Sequence, residues 1–248
     1  MRPFFILLLL LIFLSCQEED KLTANAIVDK TIENACNGNC EQAEIEFIFR
    51  KVKYKSTRQD GSYILERNFI DSIGAVRDVL TNKGFKRFVN DSVQKLADTT
   101  AQKYAEYVNS VHYFAQLPFG LNAPAARKER VGEAKINGAE YYEIQITFNE
   151  EGGGTDFEDE FVYWIHKEDF TVDYLAYSYQ VNGGGIRFRE AYNPRVVKGI
   201  RFVNYNNYKP KGKDIPLTEL DTYFQKDELE LLSKIENENV SVTLLDTE

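Results

Sequence analysis

The sequence predicts a mainly β protein of the α+β class: a strongly curved antiparallel sheet forms an incomplete β-barrel, and a long helix with an aromatic segment covers its open side. Three observations carry this. Ten or so short segments alternate apolar and polar residues at the period of two expected of a half-buried strand. Turn signatures such as Asp60-Gly61 and Asn137-Gly138 separate them at hairpin spacing. One convincing long helical pattern interrupts them mid-chain, and neither a repeat nor a linker-rich stretch divides the chain.

The chain opens on MRPFFILLLLLIFLSCQEED. One cation, Arg2, precedes an apolar run over residues 4–14, too short for a stable bilayer span and suited to a signal-peptide core. Leu14-Ser15-Cys16 resembles a lipobox, although Phe13 stands where Leu is usual. Residues 1–15 are therefore expected to be a lipoprotein signal peptide and Cys16 the lipidated residue; the bland alternative is a secretory signal containing a cysteine. Two or three acyl chains, at about 0.8 kcal/mol per buried methylene, would hold the protein at a membrane. Residues 16–22 read as an acidic tether. Gln17-Glu18-Glu19-Asp20 resembles a Bacteroidota surface-export signal and equally suits a solvated spacer.

Residues 23–248 are expected to form one β-rich domain. Thr23 can cap a helix with Ile27, Val28, Thr31, Ile32 and Ala35 on one face, ending near Cys36-Asn37-Gly38-Asn39-Cys40. A local disulfide between Cys36 and Cys40 is the favoured reading, ahead of free thiols and a metal site. From Glu44 the period becomes two: Ile45, Phe47 and Phe49, then Val52 and Tyr54 in shifted phase, which suggests a bulge. A turn at Asp60-Gly61 leads to Tyr63, Leu65, Arg67 and Phe69, with strands at 74–81 and 84–89. Thr99-x-x-Gln102 reads as a capping box opening the long helix, with Leu96, Tyr104, Tyr107, Val108 and Val111 on its apolar face. It runs into an aromatic segment, 109–121, stopped by Pro118 and Gly120. Strands resume at 128–136, 140–148, 157–167, 171–181, 186–193 and 199–208, with a turn at Asn193-Pro194. A short helix near 217–226 and a hairpin of 229–235 with 239–245 close the chain.

A formal net charge of −9, one unit deeper once Arg2 is removed, argues against nucleic acid and against docking on anionic lipid by charge alone. The strings NSVHYFAQLPFGL, YWIHKEDFTVDYLAYSY and GIRFREAYNPRVVKGIRFVNYNNY resemble an uncharacterised Bacteroidota lipoprotein family, a domain of unknown function. That family resembles in turn the lipoprotein-carrier, LolA/LolB-like fold, an incomplete β-barrel with helices plugging its mouth. The resemblance implies a LolA-like architecture and an outer membrane lipoprotein on the periplasmic face or the cell surface; it does not prove a function.

Strand 186–193 places Arg187 and Arg189 on one face and Ile186, Phe188 and Tyr192 on the other, while Arg201, Val203 and Tyr205 share a face of the next strand. Arg195 is placed in the turn between them. With Asp156, Glu158, Asp159, Asp173 and Glu190 as opposite charges, two readings stand: a polar cavity floor that binds an anionic head group, or solvated ion pairs on an outer face. Glu158 with Asp173 is the available carboxylate pair for glycoside hydrolysis. Calcium at Asp156-x-Glu158-Asp159 matches no EF-hand spacing. His112 and His166 belong to no zinc pattern, and no GxSxG, P-loop or dinucleotide fingerprint occurs, so no metal and no cofactor is expected.

The reading chosen is a non-catalytic envelope lipoprotein that binds or carries a hydrophobic or amphipathic small molecule. The alternatives are a surface glycan hydrolase and an interaction subunit with an envelope protein partner. Residues 109–121 are expected to cover an apolar cavity. Tyr113, Phe114, Phe119, Trp164, Tyr177 and Tyr179 would meet the apolar part of a ligand, and Arg187 and Arg189 any anionic end.

Overall fold

Among the described residues, five two-residue hairpin loops with both residues at positive φ each set one strand pairing: Arg50-Lys51, Asp60-Gly61, Asn90-Asp91, Asn137-Gly138 and Lys198-Gly199. This turn geometry matches the right-handed twist of the strands it joins. The structure, a computed structural model, describes residues 22–152, 157–180, 183–212 and 214–246. The expected signal peptide, the lipidation of Cys16, nearly all of the acidic tether, and Asp156 lie outside the described residues.

Helix α1 (Ala24–Cys36) starts as expected: the Thr23 hydroxyl accepts the Ala26 N–H at 3.2 Å, and Asn37 ends the helix in the left-handed region. Strands β1 (Ala43–Phe49), β2 (Val52–Gln59), β3 (Ser62–Asp71), β4 (Gly74–Thr81), β5 (Gly84–Val89) and β6 (Ser92–Val93) follow as a meander. Helix α2 (Asp98–Ala115) leads through a 3-10 turn (Phe119–Asn122) into β7 (Ala126–Ile136), β8 (Ala139–Phe148), β9 (Glu160–His166), β10 (Val172–Tyr179), β11 (Gly185–Val197) and β12 (Ile200–Pro210). A 3-10 turn (Leu217–Glu219), α3 (Leu220–Gln225), β13 (Leu229–Ile235) and β14 (Glu238–Leu244) complete the described chain. The strands form two seven-stranded antiparallel sheets, ordered β14-β1-β2-β3-β4-β5-β6 and β13-β12-β11-β10-β9-β8-β7, and neither closes.

Four details differ from the sequence expectation. The phase shift at Val52 is a hairpin, not a bulge; Arg50 and Lys51 take positive φ without a Gly or Asn to announce it. Helix α2 begins before the Thr99 box: Ala97 holds the N-cap position without a side-chain hydrogen bond, and Asp98 supplies a first-turn carboxylate favourable to the helix dipole. Asn193-Pro194 is an interruption within β11, where the register to β12 shifts between Tyr192 and Arg195, so Arg195 lies in a strand. Proline lacks the N–H that an uninterrupted ladder needs. Finally, β13 and β14 are not a hairpin. β13 pairs with β12 and β14 with β1, so residues 236 and 237 carry the chain from one sheet to the other. The crossing is fixed by polar contacts: the Arg195 guanidinium donates to the Asn237 carbonyl, and the Asn237 N–H donates to Asn204 Oδ1 at 3.2 Å.

Three buried clusters divide the interior. The first lies between α1 (Ile27, Val28), the segment after α2 (Leu117, Leu121) and the inner face of the second sheet. The second joins the Cys36–Cys40 loop to Ile45, Phe47, Tyr54, Ala115 and Phe202. The third, built on Trp164, Tyr174, Phe188 and Leu220, occupies the opposite face of the second sheet beneath α3. Cys36 and Cys40 adopt disulfide geometry with Cα atoms 5.2 Å apart. Their loop docks on the β11–β12 turn, where Asn39 donates to the Lys198 carbonyl at 3.1 Å.

Candidate functional site

The inner face of the second sheet is built from alternate residues of β9, β10, β11 and β12. Cross-strand pairing sets Tyr177 beside Phe161 and Leu175 beside Tyr163, while Arg189 lies opposite Leu175 and Arg187 opposite Tyr177. The C-terminal end of α2 brings Tyr113 and Phe114 onto this surface. Ring centroids are 5.2 Å apart for Phe114 and Tyr177, 5.6 Å for Phe161 and Tyr177, and 6.0 Å for Tyr113 and Phe161. These separations are those of directly packed aromatic pairs.

Arg189 sits inside this cluster, 7% exposed. Its guanidinium carbon lies 3.7 Å from the Phe114 ring centre and 5.0 Å from that of Tyr177, and Nη2 donates to the Tyr177 hydroxyl at 2.7 Å. Among the described residues Nε and Nη1 have no hydrogen-bond partner, and no ion pair involves Arg189. A buried donor without an acceptor costs about 1–3 kcal/mol, more on a charged group. Nearby, the Tyr113 and Tyr163 hydroxyls share a hydrogen bond of 2.7 Å. Burial pushes both phenols up, and it pushes Tyr205 up to about 12 against the opposing effect of Arg189. All three phenols are therefore neutral near pH 7.

Of the eight residues expected to line a ligand site, Tyr113, Phe114, Tyr177 and Arg189 come together here. Arg187 and Tyr179 form the adjoining rim, with Nη2 donating to the Tyr179 hydroxyl at 2.6 Å. Two lie elsewhere. Phe119 packs with the second cluster, where the Arg58 guanidinium lies 4.8 Å from its ring centre. Trp164 is fully buried on the opposite face, its Nε1–H donating to Glu143 at 3.0 Å. The parity of β9 decides this: Phe161 and Tyr163 point inward, so Trp164 between Tyr163 and Ile165 points out. Phe161 and Tyr163 join the site unannounced; the pairing with β10 that selects them is tertiary information. The expected cavity is not what these rings make, because they pack on one another. Two hollows of 360 and 340 Å³ lie instead against Leu22 with residues 130–133, and against residues 68–70 with 75–77 and Asp91.

A second buried polar group ties α2 to the first sheet. Arg87 grips the fully buried Asp78 through two hydrogen bonds of 2.6 and 2.8 Å and stacks 3.5 Å from the Tyr104 ring centre. His112, also fully buried, donates from Nε2 to the Glu66 carbonyl at 3.0 Å and accepts the Gln116 amide on Nδ1 at 3.2 Å. Asp173, offered for hydrolysis, is bound by Thr171, Tyr141 and Arg201. Two other buried carboxylates, Glu143 and Asp221 of α3, are both raised mainly by burial, and the Asp221 charge raises Glu143 further.

These features define a class: an open, helix-covered antiparallel half-barrel with an aromatic inner surface and a buried unpaired arginine. The chain belongs to the family of unknown function DUF6503, whose model matches residues 2–237. Its structure is similar to that of a LolA superfamily protein from Nitrosomonas europaea, at 10% identity and a TM-score of 0.49, over 92% of this chain and 95% of that one. A DUF1329 family protein from Desulfovibrio piger is similar at 11% identity and a TM-score of 0.46, covering 88% and 92% of the two chains. A Vibrio parahaemolyticus domain named for outer membrane lipoprotein sorting is similar at 9% identity and a TM-score of 0.40, covering 89% and 93%. No curated protein matches the sequence.

Proposed function

We propose that this protein is an envelope lipoprotein, anchored through Cys16, that binds an apolar or amphipathic small molecule between the C-terminal end of α2 and the inner face of the second sheet. The observation that carries the reading is the aromatic cluster around Arg189. Rings from α2, β9 and β10 converge on a surface that is half covered, since Phe114, Tyr177 and Tyr179 keep partial exposure. Binding requires the Phe114 end of α2 to give way, and the chain changes direction just beyond it, at Gln116 and Pro118. Mass spectrometry of the protein purified from membranes in a chain-free amphipathic polymer tests this. A stoichiometric co-purifying small molecule, lost in Phe114→Trp or Tyr177→Ala, supports it; a ligand-free protein that takes up no hydrophobic probe sinks it. For the anchor, Cys16→Ala should accumulate unlipidated precursor, and unchanged processing and detergent partitioning would refute it.

A second reading, an interaction subunit, has its own observation. Ile70 and Ile73 at the β3–β4 tip are 88% and 56% exposed, beside the 340 Å³ hollow. Double substitution Ile70→Ser/Ile73→Ser that abolishes in vivo cross-linking to an envelope protein, with small-molecule binding intact, would favour it.

A further inference from the structure

We infer that the small molecule is a single-chain monoanionic amphiphile, a fatty carboxylate being the simplest, and that its anion lands on Arg189. This rests on the binding surface proposed above and specifies what that surface selects. Arg189 is more than nine-tenths buried, has no carboxylate partner among the described residues, and points three N–H bonds, one on Nε and two on Nη1, at no acceptor. Its one made hydrogen bond, from Nη2 to Tyr177, is to a neutral hydroxyl.

The stack with Phe114 leaves these donors available. A ring 3.7 Å from the guanidinium carbon covers the face of the ion, whereas its hydrogen bonds are made in the plane. Once the Phe114 end of α2 gives way, an anion can approach along this edge without breaking the hydrogen bond to Tyr177. One buried unpaired cation is compensated by one negative charge; a dianion would leave a charge of its own unpaired in the same apolar surroundings. Arg187 at the rim does not compete for this role, because Nη1 donates to the Ile186 carbonyl at 2.8 Å and Nη2 to Tyr179. The Phe161, Tyr163 and Phe114 rings beside Arg189 offer the apolar chain a surface continuous with the charged end.

The test uses the full-length protein in phosphatidylcholine nanodiscs, photolabelled with diazirine-bearing palmitic acid or with the diazirine-bearing alcohol of the same length, and the labelled peptides mapped. The acid is expected to label the peptides holding Phe114 and Tyr177 about tenfold or more above the alcohol, the preference that one charge-assisted hydrogen bond supplies. Arg189→Met should bring acid down to the level of alcohol, and Arg189→Lys should keep part of the preference. Equal labelling by acid and alcohol in the unaltered protein overturns this inference and leaves the binding surface standing. Labelling by neither at these peptides overturns the binding surface itself. Should Arg189→Met not fold, the acid-to-alcohol ratio of the unaltered protein decides alone.

Discussion

Acid should weaken the fold through one side chain, His112, and by an amount the structure supplies. His112 lies on α2 edge-on against the stacked Phe47 and Tyr54 rings, at centroid distances of 5.6 and 5.5 Å. Its Nε2–H is bound by the Glu66 carbonyl, and its Nδ1 faces the Gln116 amide, so the neutral tautomer is specified on both sides. Rotating the Gln116 amide to accept a proton from Nδ1 is blocked: its nitrogen donates to Ser56 at 2.9 Å, and its oxygen takes the Arg58 Nε–H at 3.3 Å. Burial, with a smaller push from Arg58, holds the imidazole near pKa about 4 instead of 6.5. Between those values the unfolded chain binds a proton that the folded chain refuses, so stability falls as pH drops from about 6.5 to about 4. From pH 7 to pH 5 the loss amounts to about 2 kcal/mol, with a slope approaching ~1.4 kcal/mol per pH unit. Urea unfolding of the protein and of His112→Gln at the two pH values measures it. Glutamine keeps a donor for Glu66 and does not titrate, so the unaltered protein should lose about 2 kcal/mol more than the variant on acidification. Equal losses would show that His112 is not held neutral and that the Gln116 network does not have the orientation described.

Thiol labelling of the denatured, non-reduced protein should find Cys36 and Cys40 unreactive. Replacing both with Ala should cost about 2 kcal/mol, the closure entropy of so small a loop; two free thiols would refute the bridge. The single tryptophan, Trp164, reports on Glu143, whose carboxyl burial holds above the ordinary glutamate range. Its fluorescence should therefore titrate above that range, and Glu143→Gln should flatten the curve. Gly132→Ala places a methyl group against Glu143 Oε2 and should shift Trp164 emission while costing roughly 1–3 kcal/mol; unchanged emission and stability would contradict this contact.

Much of this architecture was written in local chemistry. Asp60-Gly61 and Asn137-Gly138 announce their hairpins because Gly and Asn take positive φ at little cost. Arg50-Lys51 makes the same turn without that signature, so β1 and β2 read as one bulged strand. The β13–β14 connection failed for a different reason. Two strands joined by two residues satisfy every local rule for a hairpin, and only the pairing of β13 with β12 and β14 with β1 shows that they divide between sheets. The proposed lipidation of Cys16 rests on local sequence alone, since a processing signal is read from the unfolded chain.

The candidate site was partly legible, and what was missing is facing. Arg187 and Arg189 on one side of β11, and Tyr177 and Tyr179 on one side of β10, follow from a period of two. Which side turns inward depends on strands far away in sequence. Trp164 shows the cost of that ambiguity: shifting parity by one residue moves it from the aromatic surface to the cluster under α3. Polar interior residues mislead in the same way. Asp78, Ser56 and His112 are fully buried, yet composition places such residues outside. They are stable inside because each has its partner: Arg87 for Asp78, Gln116 for Ser56, and the Glu66 carbonyl for His112. Arg189 departs from this rule furthest. Among the described residues Gln42, Arg67, Asn149 and Asn207 each leave one buried polar atom without a partner, whereas Arg189 leaves two nitrogens of a charged group unpartnered beside a wall of rings, and it is on this pair that the proposed ligand anion would land.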